Sequence, residues 1–217
     1  IQMTTEEEFR SALKECRDIF TAKLKDYNAS WRILRPSSLT DQLFIKAKRI
    51  RQLETGEVAM VEEGIRPEIM ALVNYGIIGL IQLQEGYVDE PDMDAERATA
   101  LYDYFAEETL QLMIRKNHDY AEAWRGMRVT SYTDFILTKI NRIKEIEDNE
   151  GRVSVSEGID SNYMDIINYA VFGMLCGRIT CINAALSIHY NAAQDDSKEA
   201  NGCKWNSKQV STRQGTP

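Results

Sequence analysis

The chain repeats part of its own sequence, and this repeat constrains the fold more than any other feature does. A shift of 93 positions aligns residues 23–54 with residues 116–147 at 13 identities in 32 positions. After one inserted residue the shift becomes 94, and Asn74 then meets Asn168 while Gly79 meets Gly173. Two segments of about 80 residues, at about 9–84 and 102–177, are therefore expected to fold alike.

Each copy carries the pattern of three helices. In the first stretch, from Glu6 to Tyr27 and in its copy from 95 to 120, apolar residues recur at steps of three and four. The second stretch opens with a Ser-x-x-Asp pattern at Ser38 and Ser131, which fits a capping box, and ends near 54 and 147. The third stretch is the most apolar and starts near Pro67 and Asp160.

These patterns predict an all-α fold, in which two tandem three-helix modules pack as a pseudo-twofold helical bundle. Module 1 covers residues 1–86, and an acidic linker with the start of a helix covers 87–101. Module 2 covers 102–180. A divergent C-terminal tail follows at 181–217, and its polar composition predicts that it is mobile. A duplicated chain that packs like a fused homodimer favours a monomer.

Composition disfavours several classes of protein. Gly and Pro are scarce, at 12 and 4 of 217 residues, which argues against a turn-rich β-sandwich. The formal net charge of −8 argues against an extended surface for duplex nucleic acid. The sequence contains no apolar run long enough for a membrane span and no signal-peptide pattern, so a cytoplasmic protein without membrane contact is expected.

The first group of repeated polar residues follows the pattern K-x-x-D-Y-x-x-x-W-R-x-x-R. Its basic side chains could bind phosphate oxygens, and its aromatic rings could stack on a base. Equally, the charges could pair within the helix while the rings fill the core. The group comprises Lys23, Asp26, Tyr27, Trp31, Arg32 and Arg35 in module 1, and Lys116, Asp119, Tyr120, Trp124, Arg125 and Arg128 in module 2.

The second group follows the pattern D-x-x-x-x-K-x-x-R. Its Lys and Arg lie three residues apart and can present two positive charges on one helix face, as an anion site requires. A solvated basic stripe is the alternative, and the acid fits the capping box. The basic residues are Lys46 and Arg49 in module 1 and Lys139 and Arg142 in module 2.

The third group differs between the copies. Asp165 and Asn168 lie three residues apart on an otherwise apolar helix, whereas module 1 has Ala71 and Asn74 at these positions. A lone carboxylate on such a helix is costly unless it is paired or bound to a metal. If Asp165 is structural, Ala71 shows that the fold tolerates its absence, and Glu68, one turn earlier, could partly replace it.

A magnesium site is the functional interpretation of the same residues. Carboxylate and amide oxygens are suitable ligands for Mg²⁺, and Asp165 with Asn168 supplies both. Glu108 or Asp119, on the first helix of module 2, would complete the ligand set. These two acids lie eleven residues apart, or about 16 Å along a helix, so they cannot share one ion with each other.

One string resembles a known family. The bacterial and phage family called nucleotide modification associated domain 1 is resembled by Lys116-Asn117-His118-Asp119-Tyr120 followed by Trp124-Arg125, Ser131-x-x-Asp134, Lys139-x-x-Arg142 and Asp165-Ile166-Ile167-Asn168-Tyr169. The resemblance covers both modules and is stronger in module 2. The family's helical pattern is similar to that of the all-α nucleoside triphosphate pyrophosphohydrolases, the MazG-like enzymes and the dimeric dUTPases.

The resemblance implies a nucleotide-binding protein linked to nucleotide or DNA modification. It also implies Mg²⁺-dependent cleavage of a nucleoside triphosphate between its α- and β-phosphates. This sequence has D-x-x-N where those enzymes have E-x-x-D, and their E-x-x-E pattern is not evident. A non-enzymatic helical module for binding or assembly, with the repeated charges as structural pairs, is the alternative hypothesis.

Overall fold

Six α-helices run through the part of the chain that the structure, a computed structural model, describes: residues 3–55, 64–150 and 157–176. These residues contain no strand. Two short 3-10 helices, Ser30–Ile33 and Ala123–Gly126, follow the first and fourth α-helices. The helices are α1 (Thr5–Tyr27), α2 (Pro36–Glu54), α3 (Ile65–Glu85), α4 (Ala95–Tyr120), α5 (Val129–Asp148) and α6 (159–176). The predicted tail at 181–217 lies outside the described residues.

Local sequence explains where the first helix of each module begins. Thr4 caps α1 in a capping box with Glu7, in which the Glu7 amide lies 3.2 Å from the Thr4 hydroxyl oxygen. Asp94 caps α4 by accepting a 2.8 Å hydrogen bond from the Arg97 amide. Both helices end near the tyrosine at which the apolar pattern predicted their end.

The predicted capping boxes of the second helices are wrong. Helix α2 begins at Pro36, two residues before Ser38, because proline fixes a helical φ and suits the first turn. Helix α5 likewise begins at Val129, and neither helix has a side-chain cap. The acids that were expected to complete the boxes, Asp41 and Asp134, instead form ion pairs with the opposite module.

The two modules are related by a pseudo-twofold axis, as predicted. Helices α1 and α4 pack together, and so do α2 and α5. The contacts are reciprocal: the Thr40 hydroxyl donates to Glu147 at 2.8 Å, and its counterpart Thr133 donates to Glu54, the counterpart of Glu147, at 2.7 Å. Such an exchange of the same two positions is the mark of a twofold interface. Residues Ile1–Gly177 form one compact unit, so the modules share a core.

Helix α3 is the most buried of the helices in module 1, consistent with its apolar sequence. It crosses α6 closely, because Gly76 and Gly79 leave room for Ile167 and Tyr163. Within the described ranges no helix combines the length and apolar character that a membrane crossing needs.

The reciprocal glutamates make the stability of this interface depend on pH. Burial raises the pKa of Glu54 and Glu147 and outweighs the threonine hydrogen bonds, which lower it. A carboxyl with a higher pKa in the folded state binds its proton more tightly there, so the free energy of unfolding falls as the pH rises through that range.

Replacing both residues, Glu54→Gln with Glu147→Gln, should remove this dependence. We expect the variant to gain stability relative to the wild type as the pH rises above about 4.5, the ordinary pKa of a glutamate, measured by urea denaturation at a series of pH values. A stability difference that is constant across this range would contradict the expectation.

Candidate functional site

Module 2 contains a pocket of about 210 Å³ between the end of α4, the second 3-10 helix, the start of α5 and α6. Its walls are mainly apolar and aromatic, and a few polar groups lie among them. Such a combination is typical of small-molecule sites. The lining residues are Met113, Lys116, Asn117, Tyr120, Ala123, Trp124, Met127, Tyr132, Asp165, Asn168, Tyr169 and Phe172.

Asp165 forms the charged part of the pocket. Its side chain is only 6% exposed and accepts from two lysines, with Lys116 Nζ at 2.6 Å and Lys139 Nζ at 2.7 Å. Burial lowers the pKa of Lys139, but Asp165 outweighs burial and holds the pKa above the ordinary value. Glu157 Oε2 lies 3.7 Å from Lys139 Nζ, so the cluster comprises two carboxylates and two ammonium groups and has no net charge.

Asn168 is the unusual polar residue of the pocket. It is buried, and neither its amide nitrogen nor its amide oxygen forms a hydrogen bond with any described group. Buried polar atoms nearly always have partners, because an unpaired buried donor or acceptor costs about 1–3 kcal/mol. A ligand that presents a donor beside an acceptor would satisfy both atoms of this amide.

The aromatic wall is rigid and keeps its hydroxyl groups protonated. Trp124 stacks on Phe172 with ring centroids 4.8 Å apart, and the Tyr132 hydroxyl donates to the Trp124 carbonyl at 2.7 Å. Burial raises the pKa of Tyr132 and of Tyr169, and the nearby Asp165 charge adds to the shift of Tyr169. Because Phe172 stacks on the Trp124 ring and the Arg125 guanidinium carbon lies 4.3 Å from its centre, a planar ligand ring would stack on the more exposed Tyr120 or Tyr169 instead.

The backbone beside the pocket is strained. Ala121 has φ of 47° and Glu122 has φ of 62°, so two consecutive residues other than glycine adopt the left-handed conformation. Hydrogen bonds hold Glu122 there: its carboxylate accepts from Asn117 at 2.6 Å and from Thr5 at 2.5 Å. Strain of this kind accumulates at functional sites, where surrounding contacts maintain it.

Glycine at this turn should relieve the strain. Ala121→Gly is expected to raise the free energy of unfolding by about 1 kcal/mol, because glycine adopts a positive φ without a steric penalty. Chemical denaturation measures the effect. The matched control is Ala29→Gly, at the position of Glu122 in module 1, where φ is −83° and the residue is buried. That control should lose stability, and a gain of similar size in both variants would argue against strain at Ala121.

The structure brings together six of the residues that the sequence singled out in module 2. Lys116, Tyr120, Trp124, Asp165 and Asn168 line the pocket, and Lys139 joins them through Asp165. It does not bring the three arginines into the pocket. Arg125 bonds to Glu8 at 2.5 Å and Glu122 at 2.7 Å, Arg142 pairs with Glu145 on its own helix, and Arg128 is exposed at the start of α5.

The corresponding residues of module 1 serve the fold. Arg32 was predicted to bind phosphate, but it is 2% exposed and donates to Asp92, Gln82 and the Gly86 carbonyl. Lys46 pairs at 3.0 Å with Glu68, which replaces the missing acid at Ala71. The other two candidates, Lys23 and Arg49, are exposed and partly buried, respectively.

The four predicted metal ligands do not converge. Glu108 and Asp119 are exposed on α4, and Asp119 lies 3.3 Å from His118. Nowhere in 3–55, 64–150 and 157–176 do three or more His, Cys, Asp or Glu side chains form a group that could hold a metal ion. Asp165 and Asn168 are on one pocket wall as expected, but the partners of Asp165 are lysines.

Sequence reasoning missed half of the pocket wall. Met113, Asn117 and Phe172 correspond to Phe20, Leu24 and Ile78 in module 1, so a search for residues shared by the copies passes over them. A search for residues that differ between the copies would have found Asn117. Asn117 is polar where module 1 has a buried leucine, and a difference between copies marks the module that differs in use.

Comparison with known proteins identifies one family. The model of nucleotide modification associated domain 1 matches the chain twice, at residues 23–83 and 116–176. The two matches coincide with the two copies of the repeat, and the second contains Lys116 to Asn168, the polar residues of the pocket. No curated protein and no solved structure matches the chain.

Proposed function

Because the chain belongs to the nucleotide modification associated domain 1 family, with one copy of the domain in each module, we propose that it binds a nucleotide in the pocket of module 2. The observation that carries this proposal is the buried amide of Asn168, which lacks a hydrogen-bond partner in a pocket with aromatic walls.

The aromatic wall and the amide suit a nucleobase. A base offers a flat face that can stack on an aromatic ring, and base–aromatic stacking contributes about 1–3 kcal/mol. Its edge presents donors and acceptors side by side, which matches the two atoms of the Asn168 amide. Tyr120, which is 71% exposed and lines the pocket, is available to cover the bound ring.

The lysine pair suits the phosphates. Lys116 is 44% exposed, so its ammonium group can contact both Asp165 and an anion in the open part of the pocket. Lys139 also pairs with Asp165 and so reduces the repulsion between this carboxylate and the phosphates. In this arrangement any Mg²⁺ accompanies the phosphate groups of the nucleotide, because two lysines already bind Asp165.

Hydrolysis of a triphosphate remains a prediction. Asp165 is the one carboxylate among the residues that line the pocket, and two lysines bind it. Binding without turnover is therefore the better-supported half of the proposal. Pyrophosphate release measured in the binding samples tests the other half.

Thermal stability in the presence of a nucleotide panel tests the proposal. The panel contains ribonucleoside and deoxynucleoside mono-, di- and triphosphates, each with and without Mg²⁺. A ligand at 100 times its Kd should add about 2.7 kcal/mol of stability, which gives a clear rise in Tm. Lys116→Ala should reduce that rise, whereas Lys23→Ala, at the matching position of module 1, should leave it unchanged.

The outcomes separate the hypotheses. A rise with pyrophosphate release supports a pyrophosphohydrolase, and a rise without release supports a binding protein. No rise with any nucleotide contradicts nucleotide binding and favours the assembly hypothesis.

The reciprocal contacts of the two modules occupy, within one chain, the surface that two chains of a homodimer would share, so we propose a monomer.

A further inference from the structure

We infer that the chain has a single nucleotide site, in module 2, and that module 1 is a closed copy whose amide is already used by the fold. The inference rests on the proposed function and deepens it. It identifies Asn168 as the residue that recognises the base edge, and it identifies one hydroxyl group, present on Tyr102 and absent from Phe9, as the reason that the Asn168 oxygen lacks the partner that the Asn74 oxygen has.

The amide of Asn74 is fully used within the protein. Its nitrogen donates to the Cys16 carbonyl at 3.1 Å, and its oxygen accepts from the Tyr102 hydroxyl at 2.7 Å. Tyr102 is completely buried and stacks on Phe20 with ring centroids 4.4 Å apart. The helix of module 2 that carries Tyr102 thus satisfies the amide of module 1.

Module 1 does not satisfy the amide of module 2 in return. Phe9 is the counterpart of Tyr102 in the repeat, and it lies on α1, the counterpart of α4. Phe9 is completely buried and packs edge-on against Phe172, which lines the pocket, with ring centroids 5.4 Å apart. A phenylalanine has no hydroxyl group to donate, so the oxygen of Asn168 lacks the partner that Asn74 has.

Two further differences agree with this assignment. The carboxylate that positions Lys116 and Lys139 is absent from module 1, where Ala71 stands in its place. Arg32 is 2% exposed, whereas Arg125, which pairs with Glu8 and Glu122, is exposed, with its guanidinium carbon 4.3 Å from the centre of the Trp124 ring. The indole nitrogens do not discriminate, because those of Trp31 and Trp124 both lack partners.

A matched pair of substitutions tests the inference. Asn168→Ala removes an amide that the fold does not use, so Tm without ligand should stay within about 2 °C of the wild type. Its affinity for the best nucleotide of the panel should fall about tenfold or more. Asn74→Ala leaves the Tyr102 hydroxyl unpaired, so Tm should fall by about 5 °C while the nucleotide affinity is kept.

Titration calorimetry with the same nucleotide gives the stoichiometry, for which we expect one site per chain. Phe9→Tyr adds the missing hydroxyl to module 2 and is a second, independent variant: it should fold and lose affinity for the nucleotide. Two sites per chain, or an affinity that depends on Asn74 and not on Asn168, would overturn the inference while leaving nucleotide binding intact. A wild-type chain that binds no nucleotide would overturn the proposed function and the inference with it.

Discussion

Replacing Lys116 and Lys139 together with methionine is expected to lower the free energy of unfolding by about 3–5 kcal/mol. Both ammonium groups lie within 2.7 Å of the Asp165 carboxylate, whose side chain is 6% exposed. Without them the buried carboxylate loses both of its ion-pair partners. Removing one side of a buried ion pair is costly for this reason, whereas removing both sides is often nearly neutral.

A third substitution, Asp165→Ala, tests whether the unpaired carboxylate causes this loss of stability. Adding Asp165→Ala to the double variant should recover most of the lost stability, because module 1 already folds with alanine at the corresponding position. Urea denaturation of the wild type, the double variant and the triple variant gives the three free energies. Lys23→Met is the control for the loss of a lysine on α1, and it should change stability by no more than about 0.5 kcal/mol, since Lys23 is exposed. A triple variant no more stable than the double would show that Asp165 is not the reason for the loss.

Much of the fold could be predicted from the sequence, because local patterns and the repeat determine it. Apolar residues at helical spacing predicted the first helix of each module to within a residue of Thr5–Tyr27 and Ala95–Tyr120. The duplication predicted the pseudo-twofold packing that the contacts of Thr40 and Thr133 confirm. The start of the second helix in module 1 depends instead on a local choice between Pro36 and Ser38, which the capping pattern alone got wrong.

The use of each polar residue could not be predicted, because it depends on contacts between modules. Arg32 and Arg125 are identical in sequence context, yet one is buried against Asp92 and the other pairs with Glu8, 117 residues away. Asn74 and Asn168 are also equivalent, yet Asn74 bonds to the Cys16 carbonyl and the Tyr102 hydroxyl, whereas neither amide atom of Asn168 has a partner among the described residues. Similarity between the copies therefore locates candidate residues but does not show which of them a ligand can reach.

A pair of equivalent glycines, one on α3 and one on α6, also has different surroundings in the two modules. Measurements of the free energy of unfolding can detect this difference directly. Gly79 and Gly173 occupy equivalent positions of the repeat. A Cβ atom on Gly79 would lie 2.6 Å from Cε1 and from Cζ of Tyr163, whose ring is 1% exposed and belongs to the neighbouring helix α6. On Gly173 the nearest atoms would be Ile69 Cδ1 at 3.9 Å and Tyr132 Cβ at 4.0 Å, which are ordinary contacts.

Gly79→Ala is therefore expected to lower the free energy of unfolding by about 2 kcal/mol or more, because a buried tyrosine and a helix backbone must move apart. Gly173→Ala should be neutral or should add up to about 1 kcal/mol, since alanine favours the helix and meets only ordinary van der Waals contacts. Chemical denaturation of the two single variants measures both effects on one scale. Equal losses in the two variants would contradict the close crossing of α3 and α6 at Tyr163. Unequal losses would show that Gly79 and Gly173, although equivalent in the repeat, differ in their packing, as Asn74 and Asn168 differ in their hydrogen bonds.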